Sequence, residues 1–103
     1  MARPVLTPGA GRKYDGGMQT WHVYLLECSD GTYYCGITTN LERRLRQHNN
    51  GTASKYTRTR TPVRCIASCR VKDKSEALKV ELFVKKSPKA QKRSIIQNKS
   101  WKI

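Results

Sequence analysis

The chain has 103 residues, of which 21 are Lys or Arg and 7 are Asp or Glu, for a formal net charge of +14. That length holds one domain rather than two. An excess of positive charge this large points to a polyanionic partner, nucleic acid first and an anionic membrane second, and no apolar run approaches the roughly 20 residues of a membrane span.

Residues 1–20 carry Pro4, Pro8, Gly9, Gly11, Gly16 and Gly17 without periodicity. They read as a disordered tail, with Met18 as an alternative start, and the domain is expected over 21–103. No apolar h-region is present, so the protein is expected in the cytoplasm or wherever DNA is, nucleoid or nucleus, and not secreted.

His22 to Cys28 and Thr32 to Ile37 are β-prone runs around the turn signal Ser29-Asp30-Gly31, which is a hairpin. A two-residue loop would pair Cys28 with Tyr33. A three-residue loop ending in a left-handed glycine would pair Cys28 with Thr32 and put Tyr34 opposite Leu26, on the face of Tyr24. A slip of one residue would send the two tyrosines to opposite faces.

Thr39-Asn40-Leu41-Glu42 is a capping-box pattern opening a helix that runs to about His48 and stops at Asn49-Asn50-Gly51. Leu41 and Leu45 form its apolar stripe, with Arg44 beside it and His48 one turn on. Residues 52–61 are polar and basic, a short helical turn or a loop. Val63 to Val71 is a third strand, in which Cys65 and Cys69, four apart, are expected on one face. Asp73 or Ser75 caps a helix to about Lys86 whose apolar positions are Ala77, Leu78, Val80, Leu82, Phe83 and Val84, with Glu81 among them. Ser87 and Pro88 are read as the cap and first position of a last, basic helix through about Ile96. The order is β-β-α-(α)-β-α-α, an α/β (α+β) domain.

The four cysteines are expected reduced. Their spacing lacks the paired short knuckles of structural zinc sites, so they read as small core residues and no zinc is expected. Two charges stand out instead. Glu81 is an acid within an apolar helix pattern, and Arg44 borders a core-facing stripe. A buried carboxylate needs a partner or a metal. A structural ion pair, even of these two with each other, is the plain alternative, and His48 alone would be an ordinary histidine at a helix end.

The order of residues carries more than any one of them. His22-Val23-Tyr24, followed by Tyr34-Cys35-Gly36, resembles the paired tripeptides that name the GIY-YIG nuclease family. The resemblance continues through Gly36-Ile37-Thr38-Thr39-Asn40-Leu41-Glu42-Arg43-Arg44-Leu45, His48-Asn49, Lys55-Tyr56-Thr57 and Ser75-Glu76-Ala77-Leu78 with Glu81 and Lys85. It covers roughly residues 22–96 and is nearest to the small stand-alone YhbQ-like branch. More distantly it is similar to the first nuclease domain of excision-repair UvrC and to the Slx-type resolvase subunit. His22 and Cys35 depart from the tripeptides at strand-packing positions, and Ile37 stands where excision-repair relatives carry lysine.

The resemblance implies a three-stranded antiparallel sheet flanked by helices and a site built from Tyr24, Tyr34, Arg44, His48 and Glu81. It implies a DNA endonuclease using one divalent ion, Mg²⁺ or Mn²⁺, held by Glu81 as the protein's carboxylate. Arg44 would grip the phosphate. Tyr24 would act as base with a lowered pKa, Tyr34 would orient water or phosphate, and His48 would assist proton transfer. Lys55, Tyr56, Arg58, Arg60, Lys89, Lys92 and Arg93 are expected on nucleic acid. DNA is the expected partner, with a protein partner supplying specificity, and no membrane. The alternatives are a DNA or RNA binder on the same fold without catalysis, and a nuclease subunit active only with a partner.

Overall fold

The computed structural model describes residues 20–101. The expected tail therefore lies, except for Thr20, outside the described residues. The elements are β1 (Trp21–Glu27), β2 (Tyr33–Thr38), α1 (Leu41–Asn49), α2 (Lys55–Arg58), β3 (Arg64–Val71), α3 (Lys74–Lys86) and α4 (Lys89–Asn98). The strands form one antiparallel sheet in the order β2-β1-β3.

The hairpin takes the three-residue loop. Gly31 has φ +84°, a region other residues rarely adopt. The Cys28 N–H donates to the Thr32 carbonyl at 2.8 Å, and the Gly31 N–H donates to the Cys28 carbonyl at 2.9 Å. Asp30 Oδ1 fixes the corner by accepting from the Thr32 N–H and hydroxyl at 3.1 and 2.6 Å. Leu26 then faces Tyr34, and Tyr24 faces Gly36. Tyr24 and Tyr34 share a face of the sheet, as this turn requires.

Helices cover both faces, which is why the central strand reads Val23-Tyr24-Leu25-Leu26 without a polar break: all four are buried. On one face Val23, Leu25, Cys35, Ala67, Cys69 and Val71 pack against Ala77, Val80 and Val84 of α3 and Ile95 and Ile96 of α4. On the other, Tyr24, Leu26, Cys28 and Val63 pack with Tyr34, Leu41, Leu45 and Cys65. α1 closes this second face.

Several local expectations change. Cys65 and Cys69 do not share a face. A bulge shifts the register between Leu25 and Leu26, so that Ala67 faces Leu25 but Cys65 faces Leu26, and the extra residue, Ile66, inverts the alternation. The α1 cap is Asn40 rather than Thr39: its side chain accepts from the Arg43 N–H at 3.0 Å. Asp73 caps α3 through the Glu76 N–H, and Glu76 reaches back to the Lys72 N–H, both at 2.8 Å. Ser87 ends α3 instead of capping α4. Its hydroxyl donates to the Phe83 carbonyl at 2.8 Å, and α4 starts after Pro88 without a side-chain cap. Leu78, Leu82 and Phe83 are about half exposed, because the single stripe Ala77, Val80 and Val84 already fills the contact with the sheet.

Candidate active site

Tyr24 sits mid-way along the central strand, and its ring lies over Gly36 of the neighbouring strand. A Cβ built on Gly36 would stand 2.6 Å from Tyr24 Cζ and closer still to the hydroxyl. The missing side chain at Gly36 is the space the phenol occupies. From there the Tyr24 hydroxyl meets His48 Nε2 at 2.8 Å. His48 is fully buried on the last turn of α1. Its Nδ1 meets Thr57 Oγ1 at 2.8 Å, and Thr57, also fully buried, lies 2.9 Å from Ser54 Oγ, the N-cap of α2. One hydrogen-bonded line thus runs from β1 through α1 to α2.

Tyr34 packs edge-on against the His48 ring, centroids 5.0 Å apart, and stacks on Tyr56 at 6.0 Å. Arg44 anchors its guanidinium by donating to Gln47 Oε1 at 3.1 Å and to the Ala53 carbonyl at 3.5 Å. Its Nε is buried with no hydrogen-bond partner among the described residues. A guanidinium N–H left unpaired beside Tyr24 and His48 is suited to an anionic oxygen.

The electrostatics of the protein's own groups set the resting states of Tyr24 and His48. Burial pushes the Tyr24 phenol up to about 12, and the Arg44 guanidinium beside it only partly opposes this. The protein's own groups therefore keep Tyr24 a neutral phenol, not an ionised base. Burial, assisted by Arg44, pushes His48 down to about 4, so its ring is neutral at physiological pH, with one nitrogen a hydrogen-bond acceptor.

Glu81 approaches from the other side of the sheet. Its carboxylate is mostly buried, with Lys85 Nζ at 3.4 Å one turn on. It does not pair with Arg44. Burial and then Glu81 push the Cys35 thiol up to about 12, which places the carboxylate near β2. β2 is an edge strand. Along it runs a cleft of about 310 Å³ lined by Tyr33, Tyr34, Cys35, Tyr56, Lys85 and Lys92. The lysine paired with Glu81 and the tyrosine packed on His48 thus line one cleft. The structure gathers Tyr24, Tyr34, Arg44 and His48 directly and brings Glu81 to the same edge through Lys85.

Residues 20–94 match the GIY-YIG catalytic domain. The chain belongs to the GIY-YIG family. It is 46% identical over 82 residues to the UPF0213 protein YsiG of Lactococcus lactis, covering 79% of each chain. It is 49% identical over 74 residues to a UPF0213 protein of Halobacterium salinarum, covering 72% of this chain and 96% of that one. The solution NMR structure of the protein EF2693 from E. faecalis is 38% identical, with TM-score 0.56 over 82% of this chain and 91% of that one. The fold is of nuclease type, and no helix among the described residues is long and apolar enough to cross a membrane.

Within this family fold the expected DNA contacts divide. Lys55, Arg58 and Arg93 are exposed, and Tyr56 is partly so. Arg60 is committed elsewhere. Its Nε donates to Asp30 Oδ2 at 3.0 Å, its Nη1 donates to the Tyr56 carbonyl at 2.7 Å, and its guanidinium lies 3.9 Å over the Tyr56 ring. Lys89 Nζ donates to the Gly31 carbonyl at 2.6 Å. Lys92 Nζ donates to the Val84 and Lys85 carbonyls at 2.6 and 3.0 Å, closing the C-terminus of α3. Sequence reasoning gave Thr57 and Gly36 no part in the site. The Ser54-x-x-Thr57 cap spacing was the one local signal for Thr57, and nothing local showed which side chain lies over Gly36.

His48 makes a measurable contribution to acid sensitivity. Its folded pKa lies near 4 and its unfolded one near 6.5. Between those values the unfolded chain binds more protons, so stability is full above about pH 6.5 and is lost as pH falls toward 4. The loss attributable to His48 is on the order of 3 kcal/mol. His22 is also lowered by burial and acts in the same direction. Melting curves of wild type and His48→Gln from pH 7.5 to 4 should therefore converge toward low pH, and parallel curves would remove this account of His48.

Proposed function

We propose that this chain is a metal-dependent DNA endonuclease that hydrolyses phosphodiester bonds, selective for DNA structure and serving repair or recombination. The observation that carries the reading is the contact of the Tyr24 hydroxyl with a neutral, buried His48, beside an unpaired Arg44 N–H. A phosphate oxygen bound at Arg44 would satisfy that N–H and neutralise one of the two causes that hold His48 down. Tyr24 then takes a proton from the attacking water while passing its own to His48 Nε2, so no free phenolate is needed. Tyr34, packed between His48 and Tyr56, orients water or phosphate.

The residues fit a hard divalent ion. Among the described residues there is no group of three or more His, Cys, Asp or Glu that would enclose a metal. A lone, mostly buried carboxylate, Glu81, suits Mg²⁺ or Mn²⁺, which keep several waters and take few protein ligands. Glu81 would hold the ion, which supplies Lewis-acid stabilisation of charge on the phosphate oxygens.

Incubating the purified chain with DNA and Mg²⁺ or Mn²⁺ tests the reading. Cutting by wild type, with a loss of about 10²–10⁴ in Tyr24→Phe and unchanged DNA binding, is expected. Binding without cutting would favour a non-catalytic binder. A second reading, a subunit activated by a partner protein, is favoured by the half-exposed Leu78, Leu82 and Phe83 on the helix that carries Glu81. It would show as cutting only when a partner is added.

DNA affinity should fall steeply with salt and depend little on sequence, because the free cations are suited to phosphates. Removing Lys55, Arg58 or Arg93 singly should lower the slope of log K against log salt by about one unit or less. Arg60→Ala and Lys92→Ala should instead lower the melting temperature, since both side chains brace the fold. Titrations from low to physiological salt check this, and a flat salt response would rule it out.

A further inference from the structure

We infer that Thr57 and Ser54 form the proton exit of the site, carrying away the proton that His48 receives from Tyr24. The inference rests on the nuclease reading. His48 is fully buried, so a proton taken at Nε2 has no direct route to solvent. The other ring nitrogen offers one: Nδ1 meets Thr57 Oγ1 at 2.8 Å, and Thr57 Oγ1 meets Ser54 Oγ at 2.9 Å. Ser54 is partly exposed.

Counting donors sets the direction. The Tyr24 hydroxyl is buried, and its hydrogen-bond partner among the described residues is His48 Nε2. If Nε2 carried the proton, the phenol would accept it and its own hydrogen would be left buried and unpaired, which is costly. The Nδ1–H tautomer removes the conflict. Tyr24 donates to Nε2, Nδ1–H donates to Thr57 Oγ1, and the Thr57 hydroxyl donates to Ser54 Oγ. Ser54 Oγ also accepts the Thr57 N–H at 3.1 Å, so both its lone pairs are used and its own hydrogen points away from the line.

The transfer balances. A proton enters at Nε2 as the Tyr24 O–H bond breaks. The Nδ1 proton moves to Thr57 Oγ1, the Thr57 proton moves to Ser54 Oγ, and the Ser54 proton leaves to water. The ring ends neutral with its tautomer reversed; it is restored when a proton from water returns through Ser54 and Thr57 to Nδ1 while the Nε2 proton passes back through Tyr24 to the leaving oxygen. Thr57 is a positioning residue here, acting on the reaction through His48, and it ties the short helix α2 to the chemistry.

The test uses the full chain with ¹⁵N-labelled histidine, as wild type, Thr57→Val and Thr57→Ser. The wild-type imidazole spectrum should show His48 as the neutral Nδ1–H tautomer. Thr57→Val keeps the shape and removes the hydroxyl. It should lower the rate at saturating DNA by about 10–100-fold, leave DNA affinity unchanged and shift the tautomer, and Thr57→Ser should restore both rate and tautomer. An Nε2–H tautomer in wild type overturns the inference even if Thr57→Val does not fold. A folded Thr57→Val that cuts at the wild-type rate overturns it as well. If wild type cuts nothing, the nuclease reading fails separately, and the tautomers of wild type and Thr57→Val still decide whether Thr57 directs the His48 proton.

Discussion

Glu81→Gln is expected to abolish cutting while leaving DNA binding intact or slightly tighter. The amide keeps the side chain's shape and removes the charge that a divalent ion requires, so Mg²⁺ affinity should collapse. Net charge rises by one, which does not weaken attraction to phosphate. The structure makes this a clean test. The ion pair lost with Glu81 joins it to Lys85 one turn away, and Lys85 is half exposed. Pairs of that kind contribute about 0.3–0.5 kcal/mol in helices, so the melting temperature should barely move. A metal titration and a melting curve on the same variant separate the two effects. A Glu81→Gln protein that cuts at the wild-type rate in Mg²⁺ would remove the metal site.

Gly36→Ala should be nearly as damaging, for a steric reason. The added methyl would meet the Tyr24 ring at 2.6 Å, far inside van der Waals contact. Tyr24 is 1% exposed, so the ring has nowhere to go without disturbing the core around it. Overpacking of this sort costs about 1–3 kcal/mol. The larger effect is on the hydroxyl, which would leave its 2.8 Å position at His48 Nε2. Cutting should fall by at least about 10², with DNA affinity retained because the exposed cations are untouched. Activity assays beside thermal melts check this, and a Gly36→Ala chain with full activity would show that the phenol need not sit where it does.

The features legible in the sequence were those set within a few residues. The Ser29-Asp30-Gly31 turn signal gave the hairpin and left two registers open; the requirement that Tyr24 and Tyr34 share a face favoured the three-residue loop, which the structure takes with Gly31 left-handed. Helix starts followed to within a residue from the Thr39-Asn40 box, from Asp73 and from Ser87-Pro88. The candidate site residues came from the family resemblance that their order in the chain carries.

What only the tertiary structure decided concerns partners distant in the chain. The bulge at Ile66 separates Cys65 from Cys69, because it answers to the pairing with β1 and not to β3's own alternation. Arg60 and Lys92 look in sequence like any exposed cation, yet one meets Asp30, 30 residues away, and the other closes a neighbouring helix. Leu78, Leu82 and Phe83 look like core, but one helix presents only one stripe to a sheet. The family resemblance implied a Tyr24 pKa lowered by a metal and an arginine; what the fold itself contributes, burial in a two-sided sheet, raises it. Burial and long-range pairing are properties of the assembled layers, and a local pattern does not contain them.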